Sequence, residues 1–261
     1  MRSVYGACRM FTITGLTVGA IAALLVGVSK TALPGAGIIA TPLLATVLHG
    51  RALAGATLPI LLAADLFAVA WYRHDARWDL LRPLVVPVAV GFGFGAWFFV
   101  SVGSATRPLD VTIGVIILVM VAVQVLRSAR RAAASDATVA AAATYGTAGG
   151  FTTFVSNTAG PIMNTYLVRF GLDKHEMIGT SAWFYFVVNV TKVPIYLALG
   201  AWASGGHFFT AESLTYDLTL VPMVVLGAYG GRRLFPHLPQ EFFLGVVLVL
   251  SAAGAVNLLL P

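Results

Sequence analysis

Apolar residues fall in ten stretches along the chain, at about 11–30, 36–48, 52–72, 83–102, 109–126, 138–156, 161–171, 177–200, 217–231 and 241–260. Short groups of Gly, Pro and charged residues separate them, as at 30–35, 49–51, 73–82 and 127–135. Crossing a hydrocarbon core of about 30 Å takes about 20 apolar residues in a helix. Most of the stretches meet that length, so the pattern predicts an all-α, polytopic helical membrane protein. The second and seventh stretches are too short to span, and each follows a Pro- and Gly-containing break. A discontinuous helix has this signature. Counting each broken helix once, the ten segments predict about eight spanning helices.

The pattern repeats. Val28-Ser29-Lys30-Thr31-Ala32-Leu33-Pro34 returns as Val155-Ser156-Asn157-Thr158-Ala159-Gly160-Pro161, 127 positions later. Gly55-Ala56-Thr57 then aligns with Gly179-Thr180-Ser181, Asp65 with Asn189, and Gly91, Gly93 and Gly95 with the glycines at 227, 230 and 231. Pro108, Asp110 and Gly114 match Pro239, Glu241 and Gly245 in the same order. Ordered matches of this kind indicate internal duplication. The expected organisation is a first membrane repeat at 11–127, a cytoplasmic linker at 128–137 and a second repeat at 138–261. If the first two segments of each half form a hairpin, the second half is inverted. One side then collects Arg73, Arg77, Arg82, Arg127, Arg130, Arg131, Arg169, Lys174, Arg232 and Arg233, and the other only Arg2, Arg9, Arg51 and Arg107. That asymmetry favours an inverted repeat with both termini outside the cytoplasm.

Composition narrows the function. The chain has 261 residues, of which 59% are hydrophobic and 10% charged, whereas a soluble domain carries roughly 25% charged residues. Its net charge of +6 is scattered between apolar segments, which argues against nucleic-acid binding and for a lipid bilayer as partner. Cys8 is the single cysteine, so no disulfide forms within one chain. The run at 14–29 lacks a small-residue cleavage site and reads as a mature membrane segment rather than a signal peptide. His49, His74, His175, His207 and His237 lack metal-ligand spacing, and neither metal nor cofactor is expected. With no HExxH, paired aspartates or Ser/His pair at membrane depth, the chain does not read as an enzyme. Glycines at 91, 93, 95, 227, 230 and 231 read as helix-packing positions rather than a nucleotide loop.

The two breaks are the candidate site. A helix that stops inside a membrane frees N–H and C=O groups, each costing several kcal/mol unless satisfied. Helices restarting after Pro34 and Pro161 would turn their positive ends towards a common region, which favours an anion. The alternative is that Pro and Gly only kink helices for packing. Candidate ligands are Ser29, Lys30, Thr31, Pro34 and Gly35 in the first break, and Ser156, Asn157, Thr158, Gly160 and Pro161 in the second. Lys30 is either a ligand or a charge reaching back to the interface. Asp65 and Lys192 lie deep in their segments, where a lone charge costs at least ~2.5–3.5 kcal/mol. They form an ion pair, or Lys192 joins Asn189 in binding the anion while Asp65 takes up a proton. Asp65 is the coupling candidate, being the only acidic residue deep in a segment. The aromatic run Trp183-Phe184-Tyr185-Phe186 reads as lipid contact or packing, with lining a pathway as the alternative.

These blocks resemble the sulfite exporter TauE/SafE family. Ser29-Lys30-Thr31-Ala32-Leu33-Pro34-Gly35-Ala36-Gly37, running on to Thr41-Pro42-Leu43-Leu44, is similar to the family's SKTGxPGxG…PLL block, with Ala32 in place of a glycine. Asn157-Thr158-Ala159-Gly160-Pro161, followed by Gly179-Thr180-Ser181-Ala182-Trp183-Phe184, Asn189 and Lys192-Val193-Pro194, resembles its AGP…GTxAWFF…N…KxP pattern. The resemblance implies a secondary transporter of the cell inner membrane that exports sulfite, organosulfonates or related small organic anions. A non-transporting channel or assembly subunit is the alternative reading. Association into homo-oligomers is left open.

Overall fold

The computed structural model describes residues 10–32, 36–128, 138–202, 206–234 and 240–260. Among them every regular element is helical. The order is α1 (Ile13–Ala32), a 3₁₀ turn (Ala36–Ile39) leading into α2 (Ala40–Leu44), α3 (Gly50–Tyr72), α4 (Trp78–Leu81), α5 (Val85–Val102) and α6 (Thr106–Ser128). Then follow α7 (Val139–Ser156), α8 (Gly160–Val168), α9 (Lys174–Trp202), α10 (Ala211–Leu234) and α11 (Gln240–Leu259). Five stretches are long and apolar enough to cross a membrane: α1, α3, α4–α5 together, α6 up to Leu126, and α9. Their outward residues are large and apolar, such as Val86, Phe94 and Trp97 on α5 and Val119 on α6. The linker expected at 128–137 lies outside the described residues except for Ser128.

Local chemistry fixes two helix starts better than hydropathy does. Glu176 N–H donates to Asp173 Oδ1 (2.9 Å) and Asp173 N–H to Glu176 Oε2 (3.2 Å), so α9 begins at Lys174. Ser213 N–H donates to Thr210 Oγ1 (3.1 Å) and Thr210 N–H to Ser213 Oγ (3.0 Å). These reciprocal capping boxes satisfy free amides of a first turn. The second one starts α10 at Ala211 rather than near 217, so Asp217 lies in the helix's second turn instead of at its edge.

The helices pair crosswise. The most extensive contacts are α1 on α10 and α5 on α7. Glycine lets the backbones touch. A methyl group at Gly227 would lie 2.1 Å from the Leu24 carbonyl oxygen, and one at Gly27 would lie 2.3 Å from that of Val224. On the other pair, a methyl group at Gly91 would lie 2.3 Å from the Thr147 carbonyl oxygen. Small residues are what close helix crossing in membranes requires. Gly93 and Gly230 depart from the expectation: a methyl group at either meets nothing within 4 Å among the described residues.

Charge separates the ends. The ring of Tyr72 lies 5.9 Å from that of His175, and the Arg232 guanidinium lies 4.9 Å from the Trp71 ring centroid. Arg73, Arg77, Lys174, Arg232 and Arg233 therefore share one end. At the other, Arg107 donates to the Leu259 carbonyl at the end of α11 (2.6 Å), and Arg51 to the Phe99 carbonyl near the end of α5 (2.6 Å). A cation there complements a helix's negative end. Because Arg51 is buried, Arg51→Met leaves the Phe99 carbonyl without its charged donor. The expected cost is about 2–3 kcal/mol, read as a lower thermal midpoint in detergent.

Candidate functional site

Both helices break where the sequence predicts. α1 ends at Ala32 and the chain resumes helical structure at Ala36; α7 ends at Ser156 and α8 begins at Gly160. Pro34 and Gly35 lie outside the described residues. The resumed segments are buried: Ile38, Ile39 and Leu44 on one side, Pro161, Met163 and Tyr166 on the other.

The last turn of α1 directs its three polar residues differently. Ser29 Oγ donates to the Val26 carbonyl (2.9 Å), and Thr31 Oγ1 to those of Gly27 (3.1 Å) and Ala228 (3.0 Å). Lys30 turns inward. Its Nζ lies 2.7 Å from Asp65 Oδ1 and 4.0 Å from the centroid of the Tyr185 ring. Asn189 Nδ2 donates to the other carboxylate oxygen of Asp65 at 2.6 Å. Asp65 is fully buried, and these two partners engage both of its carboxyl oxygens.

The break after α7 is closed by side chains. Asn157 adopts the left-handed conformation (φ 57°) that an asparagine accepts more readily than most residues. Lys192 Nζ donates to the Thr153 carbonyl (3.1 Å), to Thr153 Oγ1 (3.3 Å) and to Asn157 Oδ1, three acceptors for the three protons of an ammonium group. Tyr196 Oη donates to the Phe154 carbonyl, and Thr41 Oγ1 to that of Ser156 (2.6 Å). Asn157 Nδ2 donates to the Ala54 carbonyl (3.1 Å). Thr41 comes from the first interrupted segment, so the two breaks are hydrogen-bonded to each other. Carbonyls that a helix end leaves free are in this way satisfied without lipid contact.

Between the breaks lies a cavity of about 20 Å³, room for one water molecule. Ser29, Lys30, Thr153, Asn157, Gly160, Ser181, Tyr185 and Asn189 supply its polar and small wall, with Leu61, Ile178 and Ala182 completing it. Of the sequence candidates, Ser29, Lys30, Asn157, Gly160 and Asn189 line it. Thr31, Ser156, Thr158, Pro161, Asp65 and Lys192 stand outside that wall; Asp65 touches Lys30 and Lys192 touches Asn157. Ser181 Oγ, Tyr185 Oη and Asn189 Oδ1 are buried and find no hydrogen-bond partner among the described residues. The formal charges of Lys30, Lys192 and Asp65 leave the region at +1.

Three expectations change. The carboxylate of Asp65 pairs with Lys30, not with Lys192. Lys192 lies nearly one turn beyond Asn189, and its ammonium reaches the end of α7 instead. Second, Asp65 is not the only buried acid, because the longer α10 buries Asp217 as well. Third, Tyr185 belongs to the cavity wall rather than to a lipid or packing surface. Its neighbour Trp183 does pack, 5.1 Å from the Trp78 ring. Tyr185, Ser181 and Thr153 are site residues that the sequence candidates do not include. A signal exists for two of them: positions 181, 185, 189 and 192 form a polar stripe at helical spacing along an apolar helix.

No curated protein and no solved structure matches the chain. The family model for the sulfite exporter TauE/SafE family matches residues 19–258. Together with five stretches fit to cross a bilayer, this makes the chain a multi-pass membrane protein. It belongs to the sulfite exporter TauE/SafE family of membrane transporters.

Proposed function

We propose that this protein is a secondary transporter that exports a small anion, such as sulfite, an organosulfonate or a related organic acid, across the inner membrane by alternating access. The observation that carries the reading is Lys30 at the tip of an interrupted helix, sharing one cavity with Ser181 and Tyr185, whose buried hydroxyls have no partner among the described residues. A cation and donors set in a buried cavity suit an anion. The anion-binding set is Ser29, Lys30, Asn157, Gly160 and Asn189, with Ser181, Tyr185 and Thr153 added. Lys192, Ser156, Thr158 and Pro161 shape the second break, and Thr31 the first. Asp65 is the coupling group: an anion arriving at Lys30 competes with its carboxylate, and protonation at Oδ1, the oxygen facing Lys30, removes the repulsion while Oδ2 goes on accepting from Asn189.

Alternating access rests on an inverted repeat, 11–127 against 138–261, joined by a cytoplasmic linker at 128–137. The crosswise pairing of α1 with α10 and α7 with α5 supports it, since the first helix of each half packs on the fourth apolar stretch of the other. The basic end supports placing that face in the cytoplasm. A cavity sized for one water is a contracted state, and a four-atom oxyanion requires the two broken segments to part.

Sulfite-loaded proteoliposomes test this. Saturable uptake with counterflow is expected of a carrier, whereas linear, non-exchanging flux or none defeats the proposal. Ser181→Ala removes one neutral donor and is expected to raise KM roughly 3–10-fold with little change in stability.

A further inference from the structure

Asn189 carries information about the occupant beyond its charge. Its Nδ2 donates to Asp65 Oδ2 at 2.6 Å, and the other oxygen of Asp65 lies 2.7 Å from Lys30 Nζ, the pairing of a carboxylate with an ammonium group. A carboxylate only accepts hydrogen bonds, so the amide cannot turn round without setting two acceptors against each other. Asn189 Oδ1 is thereby fixed away from Asp65. Asn189 is 1% exposed, lines the cavity, and its Oδ1 has no partner among the described residues. The wall therefore offers donors from Lys30, Ser181 and Tyr185, and one acceptor whose direction is locked.

A fully deprotonated oxyanion has acceptors alone and would face Oδ1 lone pair to lone pair. An anion that keeps a hydroxyl proton satisfies every group. On the anion-site reading above, we infer that the cavity selects a hydrogen oxyanion, one bearing its own O–H donor such as hydrogensulfite in its HO–SO₂⁻ form, over donor-free anions. Asp65 acts here as a positioning residue, through Asn189. Sites built to bond a substrate hydroxyl discriminate strongly against an analogue lacking it, because the site's polar atom is then left unpaired.

Methanesulfinate, CH₃–SO₂⁻, is the matched probe: it is a monoanion with a methyl group where hydrogensulfite has its hydroxyl. The measurement is competition against labelled sulfite exchange in proteoliposomes at mildly acidic pH. Wild type is expected to need at least about tenfold more methanesulfinate than unlabelled sulfite for half-inhibition. Asn189→Leu deletes the acceptor and Asp65→Asn lets the Asn189 amide turn; each is expected to bring the two concentrations within about threefold. Equal competition in wild type overturns the selectivity, as does an unchanged ratio in the variants. Should one variant fail to assemble, the wild-type ratio and the other variant still decide. Absence of any saturable sulfite exchange in wild type is a different result and brings down the anion-carrier reading itself.

Discussion

Lys30→Ala is expected to reduce sulfite exchange by about 100-fold or more, the consequence of losing a charge-assisted contact worth about 2.7 kcal/mol. The same change strands Asp65, whose side chain is fully buried and whose closest cation is Lys30 at 2.7 Å. Removing one partner of a buried pair costs about 3–5 kcal/mol, so the single variant is expected to unfold at lower temperature as well. The double variant Lys30→Met with Asp65→Asn separates the two effects. It removes both charges, keeps the Asn189 contact with an amide, and restores most of the stability. Transport is expected to stay lost. If the double variant transports at the wild-type rate, Lys30 serves packing rather than the anion. Monodispersity and thermal midpoint in detergent, measured beside the exchange rate, give the two readouts.

Gly227→Leu is expected to be severely damaging although it lies away from the site. Its first side-chain carbon would lie 2.1 Å from the Leu24 carbonyl oxygen, which belongs to α1 backbone and cannot step aside. Overpacking a tight interface costs about 1–3 kcal/mol, and more where backbone must move. A loss above about 3 kcal/mol and poor recovery of folded protein are expected. Gly230→Leu is the control, because a methyl group there would have no described atom within 4 Å. It is expected to leave both recovery and thermal midpoint near wild type. Equal damage from the two would mean that glycine acts here through helix flexibility rather than closeness of approach.

Much of the fold was legible because a bilayer imposes a strict length and polarity rule. The stretches at 52–72 and 177–200 become α3 (Gly50–Tyr72) and α9 (Lys174–Trp202) with ends shifted by a few residues. Capping explains the earlier starts of α9 and α10: Asp173 with Glu176 and Thr210 with Ser213 start helices in polar sequence that a hydropathy reading discards. Both breaks were legible from Pro, Gly and the repeat. Partner choice was not. The repeat pointed Asp65 towards Lys192, and only the folded chain brings the end of α1 to it, with Lys30 Nζ 2.7 Å from its carboxylate. Tyr185 hid in an aromatic run, where the preference of such residues for lipid and packing outweighed its place in the stripe through Ser181 and Asn189.

The crosswise pairing has a bearing on how the protein is made. α1 and α5 emerge from the ribosome early, yet their chief neighbours, α10 and α7, come from the later part of the chain. Until those arrive, the glycine-rich face of α1 has only lipid to rest against, and the charged tip at Lys30 has Asp65 but not Asn189 or Tyr185. The α1–α10 pair therefore closes late, and a nascent chain halted midway holds an ion pair in hydrocarbon that its own half cannot shelter.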